Sequence, residues 1–218
     1  MSTVKKTKQT PDNYAPNEKP EIISLAEKLS STNQYQVYKT IEYRMDNVEL
    51  PDTLKMAGVT SENNPNFQNI DKYHKEFKPI MLDKHAPYTE IGISGNMTNP
   101  NGDYIFGCQV DSLEDLPTGL YGFDTGIKKF ASITFRAHTA YELVGGNEGP
   151  GDGMKTASEY IKEVWLPLNK ELVYPVNWDY MYFDIKTEDK DYCLFMIEVY
   201  KVELEDEPEM CFYIPLKA

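Results

Sequence analysis

The stretch MKTASEYIKEVWLPL, residues 154–168, carries the clearest helix signal in this chain of 218 residues. Apolar residues recur along it every three or four positions, so they predict one face of an amphipathic helix. They are Met154, Ala157, Tyr160, Ile161, Val164, Trp165 and Leu168. Asp152 or Thr156 can cap the start of this helix. Pro167 predicts its end, because proline cannot continue the helical hydrogen bonding.

Strand patterns flank this helix on both sides. KKFASITFRAH (128–138) precedes it, and YCLFMIEVYKV (192–202) and MCFYIPL (210–216) follow it, all rich in β-branched and aromatic residues. Residues 171–192, which include DYMYFDIKT, are surplus to this unit and predict an additional edge strand.

A similar order of elements occurs in the first half of the chain. TLKMAGVT (53–60) predicts a strand, NIDKYHKEFKPIML (69–82) a helix, and YTEIGISG (88–95) and YIFGCQV (104–110) two more strands. The order strand, helix, strand, strand therefore appears twice, which indicates a structural duplication without obvious sequence identity. Pro79 predicts the end of the first helix or a kink in it.

The remaining segments predict a lead, one further strand and a loop. Residues 1–35 are polar and predict a disordered lead with a possible short helix in EIISLAEKLS, so the domain spans 36–218. Apolar and polar residues alternate in QVYKTIEYRM (36–45), which predicts a strand. A loop is predicted for SLEDLPTGLYGFDTG (112–126). The candidate inward residues of the alternating segment are Val37, Ile41, Tyr43 and Met45.

The charge balance excludes several classes of partner. Lys and Arg number 22 against 35 Asp and Glu, a net charge of −13, which argues against direct DNA binding and against an anionic membrane surface. No apolar stretch approaches the roughly 20 residues of a membrane span. Three cysteines and no secretory leader predict reduced thiols in a cytoplasmic protein.

Motifs for phosphate and metal binding fail on spacing. In GNEGPGDGMKT (146–156), Met154 separates the last glycine from Lys155, so this is not a phosphate-binding loop. His74, His85 and His138 lie in no metal-ligand pattern, and we expect neither a metal nor a cofactor. His74 lies on or beside the apolar face of the first helix and predicts a satisfied core histidine.

Glu198 is the main candidate functional residue. It is the single acid in CLFMIEVYKV (193–202), which is otherwise nearly apolar on both strand faces. A period of two places Leu194, Met196, Glu198, Tyr200 and Val202 on one face. Burial of a carboxylate is costly and should raise its pKa. The alternatives are an ion pair with Arg136 or Arg44, or an edge strand that leaves Glu198 in water.

The aromatic composition suggests a ligand. Sixteen Tyr, nine Phe and two Trp, together with the negative net charge, suit a pocket for a flat or cationic organic molecule. The alternative is that tyrosine simply has a high strand propensity. Asp184 shares a predicted strand face with Tyr180 and Tyr182 and is the second candidate acid.

From residue 40 to 217 the chain resembles the GyrI-like proteins, and most clearly in its second half. The shared pattern is a strand ending in a basic residue and His, a glycine-containing loop, a helix ending in Trp-Leu-Pro, a Glu-x-Tyr strand and a last strand of Tyr-hydrophobic-Pro-hydrophobic type. Those elements are Arg136 and His138, residues 145–153, WLP at 165–167, Glu198 with Tyr200, and YIPL at 213–216.

The resemblance implies an α+β fold, namely a tandem βαββ repeat with pseudo-twofold symmetry, an antiparallel sheet, two main helices and a central cleft, as in the SOUL-like fold. In AraC- and MerR-type regulators such effector-binding domains bind drugs, and a buried Glu facing aromatic rings engages cationic ligands. Related proteins include a gyrase inhibitor and hydrolases of electrophilic cyclopropane-containing compounds. Residues 1–35 are too short and polar for a helix-turn-helix, so this chain is not itself a DNA-binding regulator.

Three functions follow as expectations. The first is a cytoplasmic, standalone protein of the multidrug-binding type, which binds a lipophilic cation in the cleft through Glu198 or Asp184. The second is a hydrolase of cyclopropane-type toxic molecules that uses Glu198 as general acid or base. The third is binding to a protein such as gyrase through the acidic surface. The aromatic candidates for the ligand site are Tyr88, Trp165, Tyr182, Tyr200 and Tyr213.

Overall fold

The chain folds into a large curled antiparallel sheet with two helices, an α+β architecture. The computed structural model describes residues 34–60, 68–84, 90–95, 103–137, 139, 142–143, 151–186, 191–200 and 209–217. The predicted lead falls almost wholly outside them, as do Tyr88, His85 and His138. Within the described residues, no helix is long and apolar enough to span a membrane.

The strands lie close to their predicted positions. In chain order they are β1 Gln36–Tyr38, β2 Ile41–Glu49, β3 Lys55–Thr60, β4 Glu90–Gly95, β5 Asp103–Val110, β6 Tyr121–Asp124, β7 Lys129–Arg136, β8 Val176–Asn177, β9 Tyr182–Lys186, β10 Asp191–Leu194, β11 Ile197–Tyr200 and β12 Glu209–Pro215. The predicted edge strand in the surplus segment is confirmed, since β8 pairs only with β9 at one end of the sheet. The prediction of a loop at 112–126 is wrong in part, because β6 lies within it.

All described strand pairs are antiparallel. The central order is β2-β7-β12-β11-β4, and β4 also pairs with β5, which pairs with β3, which pairs with β6. β1 extends the sheet beyond β2, while β10, β9 and β8 continue from the end of β4. β4 and β11 are therefore the central pair that joins the first-half strands to the second-half strands.

Both helices contain a π-helical turn just before their proline. Helix α1 covers residues 68–84, with its π segment at Tyr73–Phe77, and helix α2 covers residues 152–169, with its π segment at Ile161–Trp165. Pro79 and Pro167 each follow their π segment by two residues. Proline has no N–H to donate to the carbonyl four residues earlier, and the wider turn accommodates this loss. The prediction that Pro79 ends α1 is therefore wrong, since α1 continues to Lys84.

One face of the sheet carries both helices, and we call it the helix face. Directly paired residues of an antiparallel sheet project to the same side, so the strand register gives rows of side chains on this face. One row runs across the sheet through Met45, Ile133, Phe212, Glu198, Gly92, Phe106 and Val59. The neighbouring row consists of Tyr43, Phe135, Met210, Tyr200, Glu90, Cys108 and Ala57.

The two helices cover opposite ends of these rows. In α1, Tyr73, Phe77 and Met81 pack into one buried cluster with Val59 and Phe106. In α2, the Tyr160 ring lies 4.3 Å from the ring of Tyr43, and its hydroxyl is 3.7 Å from the Met45 sulfur. The middle of each row, on β4 and β11, lies between these helix contacts. Burial of this interface is the main apolar stabilisation that positions both helices.

A β-bulge divides the strand predicted at 192–202. Leu194 of β10 pairs with Gly95 and Glu198 of β11 pairs with Gly92, so three residues of one strand oppose two of the other. The extra residue reverses the alternation, and Leu194 projects to the opposite face from Glu198. The prediction that both lie on one face is therefore wrong. Alternation in the sequence cannot reveal a bulge, because the inserted residue is as apolar as its neighbours.

The first strand segment also differs from the prediction. A turn with Lys39 at φ 51° separates β1 from β2, and Val37 is 72% exposed. Ile41 and Tyr43 are buried and Met45 is partly buried, as the alternation predicted. β1 lies at the edge of the sheet, where no further described strand covers Val37.

Candidate functional site

Glu198 lies in the middle of the helix face and is 9% exposed. It occupies β11, a four-residue strand in which Ile197 and Val199 are also buried. Those two residues project to the other side of the sheet and hold β11 between β4 and β12. The strand alternation then requires Glu198 to project into the face between the two helices.

Two tyrosine hydroxyls donate hydrogen bonds to the Glu198 carboxylate. The Tyr200 hydroxyl lies 2.6 Å from Oε2, and the Tyr104 hydroxyl lies 2.9 Å from the same oxygen. The hydroxyls are 3.5 Å apart. Tyr104 comes from β5, and its side chain extends over Gly92 of β4 to reach the Glu198 carboxylate. Gly92 has no side chain, so the Tyr104 hydroxyl fits above it. A Cβ atom at Gly92 would lie 2.2 Å from the Tyr104 hydroxyl and 2.6 Å from Glu198 Oε2.

Burial raises the pKa of Glu198 above its ordinary value, while the hydrogen bonds from Tyr200 and Tyr104 oppose that rise. Burial also raises the pKa values of Tyr104 and Tyr200 well above normal, and the nearby carboxylate raises them further. Both phenols therefore remain protonated donors at neutral pH. The result is a carboxyl group that holds its proton to a higher pH than an exposed glutamate does.

Both alternatives for Glu198 are wrong: it forms no ion pair with Arg136 or Arg44, and it is not exposed to water on an edge strand. Arg136 Nε lies 2.5 Å from Glu42, and the Arg44 guanidinium lies 3.9 Å from both Asp46 and Glu209. These arginines alternate with the helix-face residues of their strands and project to the opposite side. Among the residues that the structure describes, no Lys, Arg or His lies within ion-pair distance of Glu198.

A second buried carboxylate lies one residue pair away on the same face. Glu90 of β4 pairs with Tyr200 and is 6% exposed. Its Oε1 accepts a hydrogen bond from Lys78 Nζ at 2.6 Å and lies 3.0 Å from His74 Nε2. Both cationic partners come from α1. His74 is thus a partly exposed partner of Glu90, and the prediction of a core histidine is wrong.

Aromatic rings connect the two carboxylates. The Phe106 ring lies 5.8 Å from the Tyr200 ring, 6.5 Å from the Tyr104 ring and 5.6 Å from the His74 ring. The stretch of the helix face around Glu198, Tyr200, Tyr104 and Phe106 is the candidate site. It combines several aromatic rings with a carboxylate that no Lys, Arg or His of the described residues contacts, a set of groups that suits an organic cation.

The structure places the other predicted site residues at different distances from Glu198. Tyr200 contacts Glu198 directly. Tyr182 lies further away: its ring is 6.1 Å from that of Phe195, which in turn is 6.5 Å from the ring of Phe212, the strand partner of Glu198. Tyr213 projects to the opposite side of the sheet and stacks on Phe130. Burial raises the pKa of Tyr213 to about 12. Tyr88 lies outside the described residues.

Trp165 and Asp184 have other surroundings. Trp165 is 2% exposed in the main core cluster, and its Nε1 has no hydrogen-bond partner among the described residues. Asp184 accepts a hydrogen bond of 2.9 Å from the Cys193 thiol. Burial, together with this carboxylate, raises the pKa of Cys193 to about 11. Asp184 has a described partner in Cys193, whereas the described partners of Glu198 are two phenols.

Sequence reasoning missed three residues of the site: Tyr104, Gly92 and Glu90. The signals existed, since GIS and YIFGC hold a glycine and an aromatic residue on adjacent predicted strands. Tyr104 lies over Gly92 because of the register in which β4 and β5 pair, and this register cannot be derived from the sequence pattern. Within the described part of the chain, no group of His, Cys, Asp and Glu is arranged to hold a metal ion.

No protein-family model matches this chain, and no curated protein matches it. An integron cassette protein from the mobile metagenome of Vibrio cholerae is similar in structure, with 11% sequence identity over 82% of this chain and 100% of its own and a TM-score of 0.47. EcmrR, solved in a complex with DNA, is similar with 13% identity over 80% of this chain and 57% of its own and a TM-score of 0.40. Both TM-scores are under 0.5, so neither similarity enters the functional argument.

Proposed function

We propose that this chain binds lipophilic organic cations on the helix face, with Glu198 as the countercharge. The observation that carries the proposal is a buried carboxylate whose described partners are two uncharged phenols. A buried charge needs a partner of opposite sign. Because the described part of the chain supplies none, a ligand cation is the natural partner.

The surrounding rings support a cation rather than a metal ion. The partly buried rings of Tyr104 and Tyr200 lie next to the carboxylate, with the buried Phe106 ring behind them, and each cation–π contact contributes about 0.5–2 kcal/mol. A small hard metal ion would instead need several oxygen ligands converging on one point. The net charge of −13 favours the approach of cations of any kind.

We further propose that the fold is the tandem βαββ repeat implied by the resemblance to GyrI-like proteins. Strand order supports this, because β3, β5 and β4 pair in the same sequence as β7, β12 and β11, and β4 joins β11. Each set contains one helix with a π segment followed, two residues later, by proline. The candidate site then lies at the junction of the two units, where the resemblance places a ligand cleft.

A matched pair of probes tests the cation proposal. Benzyltrimethylammonium carries a permanent charge, and neopentylbenzene is its neutral carbon isostere. We expect the cation to raise the melting temperature of the protein and to bind at least tenfold less tightly to Glu198→Gln, while the neutral probe binds both proteins alike. Equal binding of the cation to both proteins, measured by titration calorimetry, would show that Glu198 is not the countercharge.

The alternative function is hydrolysis of electrophilic, cyclopropane-type molecules. The elevated pKa of Glu198 favours it, because such a carboxyl can take a proton from an attacking water and return it to the carbon released by ring opening. A panel of hydrophobic cations and strained-ring electrophiles separates the two functions. Turnover that is lost in Glu198→Gln while substrate binding persists indicates the hydrolase.

A further inference from the structure

The cation site does not use the ion pair beside it. Lys78 Nζ and His74 Nε2 both contact Glu90 Oε1, and Glu90 lies on the helix face opposite Tyr200. Glu90 and Glu198 are thus diagonal neighbours on adjacent strands, a relation that separates side-chain origins by about 7–8 Å. That span is comparable to the length of one substituted aromatic ring.

Lys78 sets the charge at this second position. Its ammonium group neutralises Glu90, so a ligand group that reaches Glu90 meets an ion pair rather than a free acid. An ammonium has three N–H donors, and the contact with Glu90 uses one of them. The Lys78 side chain is 24% exposed and that of His74 is 39% exposed, so both are accessible to a ligand at the edge of the site.

The pairing of β4 with β11 fixes the direction from one position to the other. Glu90 lies two residues along β4 from Gly92, the partner of Glu198, and Tyr200 pairs with Glu90 while its hydroxyl contacts Glu198. A flat ligand with its cation at Glu198 that extends along β4 towards Glu90 therefore brings its far end to Lys78. At that end a neutral oxygen acceptor gains hydrogen bonds, whereas a second cation meets the charge of Lys78.

We infer that Lys78 restricts the site to flat molecules with one cationic centre and an oxygen acceptor at the opposite end. This inference rests on the proposed cation site at Glu198. It also runs against the effect of net charge, because a protein of charge −13 would otherwise favour a dication over a monocation.

Three ammonium probes test the inference. They are benzyltrimethylammonium, its 4-carbamoyl derivative and the para-xylylene bis(trimethylammonium) dication. For the unmodified protein we expect the carbamoyl probe to bind at least threefold more tightly than benzyltrimethylammonium, the parent probe. We expect the dication to bind at most twofold more tightly than the parent, the statistical factor for a molecule with two equivalent cationic ends. In Lys78→Met the carbamoyl advantage disappears, and the dication binds at least tenfold more tightly than the parent because the lysine charge no longer neutralises Glu90, whose remaining described partner is His74.

Two variants control for folding and general charge. Lys75→Met removes an exposed lysine of the same helix, whose partner Asp71 lies 3.9 Å away, and should leave the ranking of the probes unchanged. Glu90→Gln with Lys78→Met removes both charges together, so a folded protein remains testable if Lys78→Met is unstable. It should abolish the carbamoyl advantage without the gain for the dication.

The outcomes separate the inference from the proposed function. If the parent probe does not bind the unmodified protein, the cation site itself is wrong and the inference falls with it. If the parent binds through Glu198, but the unmodified protein prefers the dication or Lys78→Met leaves the ranking unchanged, only the inference is overturned.

Discussion

Glu90 and Glu198 are two buried carboxylates on one face, and they are stabilised in different ways. Glu90 contacts a lysine and a histidine of α1. Glu198 accepts hydrogen bonds from two tyrosines, and no cation lies beside it in the described structure. Within the described residues, the fold therefore matches one acid with cationic side chains and the other with uncharged phenols.

The difference originates in one residue of each helix. Lys78 follows the π segment of α1 directly, and Leu166 follows that of α2. Lys78 reaches Glu90, whereas Leu166 is fully buried in the apolar core. Under the proposed repeat these two helix positions are equivalent. A lysine in one unit and a leucine in the other then accounts for the described cationic partner of Glu90 and for the lack of one from α2 at Glu198.

The largest expected effect is an opposite response of the two acids to neutralisation. Glu90→Gln removes a buried charge that has two partners and should lower the free energy of unfolding by about 2–3 kcal/mol. Glu198→Gln removes a buried charge without a cationic partner, so stability should remain equal or rise. Urea denaturation at neutral pH measures both changes.

The exposed pair on α1 provides the control for Glu90. Asp71→Asn removes a carboxylate that is 75% exposed, and the change should stay within about 0.5 kcal/mol. A loss of several kcal/mol in Glu198→Gln would contradict the comparison, because it would place Glu198 in a structural ion pair as well.

A smaller effect is expected from closing the space over Gly92. In Gly92→Ala the new methyl group would overlap the Tyr104 hydroxyl and displace it from Glu198, at a cost of about 1–2 kcal/mol. Cation affinity should fall with it. Gly122→Ala is the matched control, since its Cβ would meet Leu116 at 2.8 Å and Leu113 at 3.1 Å, far from the carboxylate. Equal losses of affinity in both variants would mean that overpacking, not the displaced hydroxyl, is responsible.

The sequence was sufficient to predict the burial of Glu198 and the face that it shares with Tyr200, but not its contact with Tyr104. An acid in an otherwise apolar strand is visible as a break in composition, and its burial follows. Tyr104 lies 94 residues earlier and meets Glu198 only because β5 and β11 both pair with β4. Contacts of this kind depend on register, which single-sequence patterns do not contain.

The same limit applies to the fold. The repeated order of strand, helix, strand and strand was readable because each element has its own hydrophobic period. The bulge before β11 was not readable, because it adds one residue to a continuous apolar run, and the π segments were not readable, because each adds one residue within an amphipathic helix pattern. The bulge matters for function, since it sets which face Glu198 occupies.

The pH dependence of stability should distinguish Glu198 further. Its pKa is raised in the folded state, so the folded protein retains this proton to a higher pH than the unfolded chain does. The group therefore contributes its full stability at low pH and loses it as pH rises through the folded pKa, by about 1.4 kcal/mol for each unit of difference. The stability of the unmodified protein relative to Glu198→Gln should fall as the pH rises above about 4.3, the ordinary pKa of glutamate. A difference that stays constant as the pH rises would contradict the raised pKa.

The smallest effects are expected from removing one hydroxyl at a time. Tyr200→Phe and Tyr104→Phe keep the rings but delete donors at 2.6 and 2.9 Å from Glu198, and each should cost about 0.5–1 kcal/mol of stability. Because both hydrogen bonds lower the pKa of Glu198, and that from Tyr200 does so more, Tyr200→Phe should raise the pKa further. Affinity for benzyltrimethylammonium should then fall at pH values below that at which the carboxyl ionises, more in Tyr200→Phe than in Tyr104→Phe, and both should recover at higher pH as the carboxyl ionises. Tyr213→Phe, on the opposite face, should leave affinity and its pH dependence unchanged. Recovery that is absent at high pH would mean that the hydroxyls contact the ligand directly and do not act through the carboxylate.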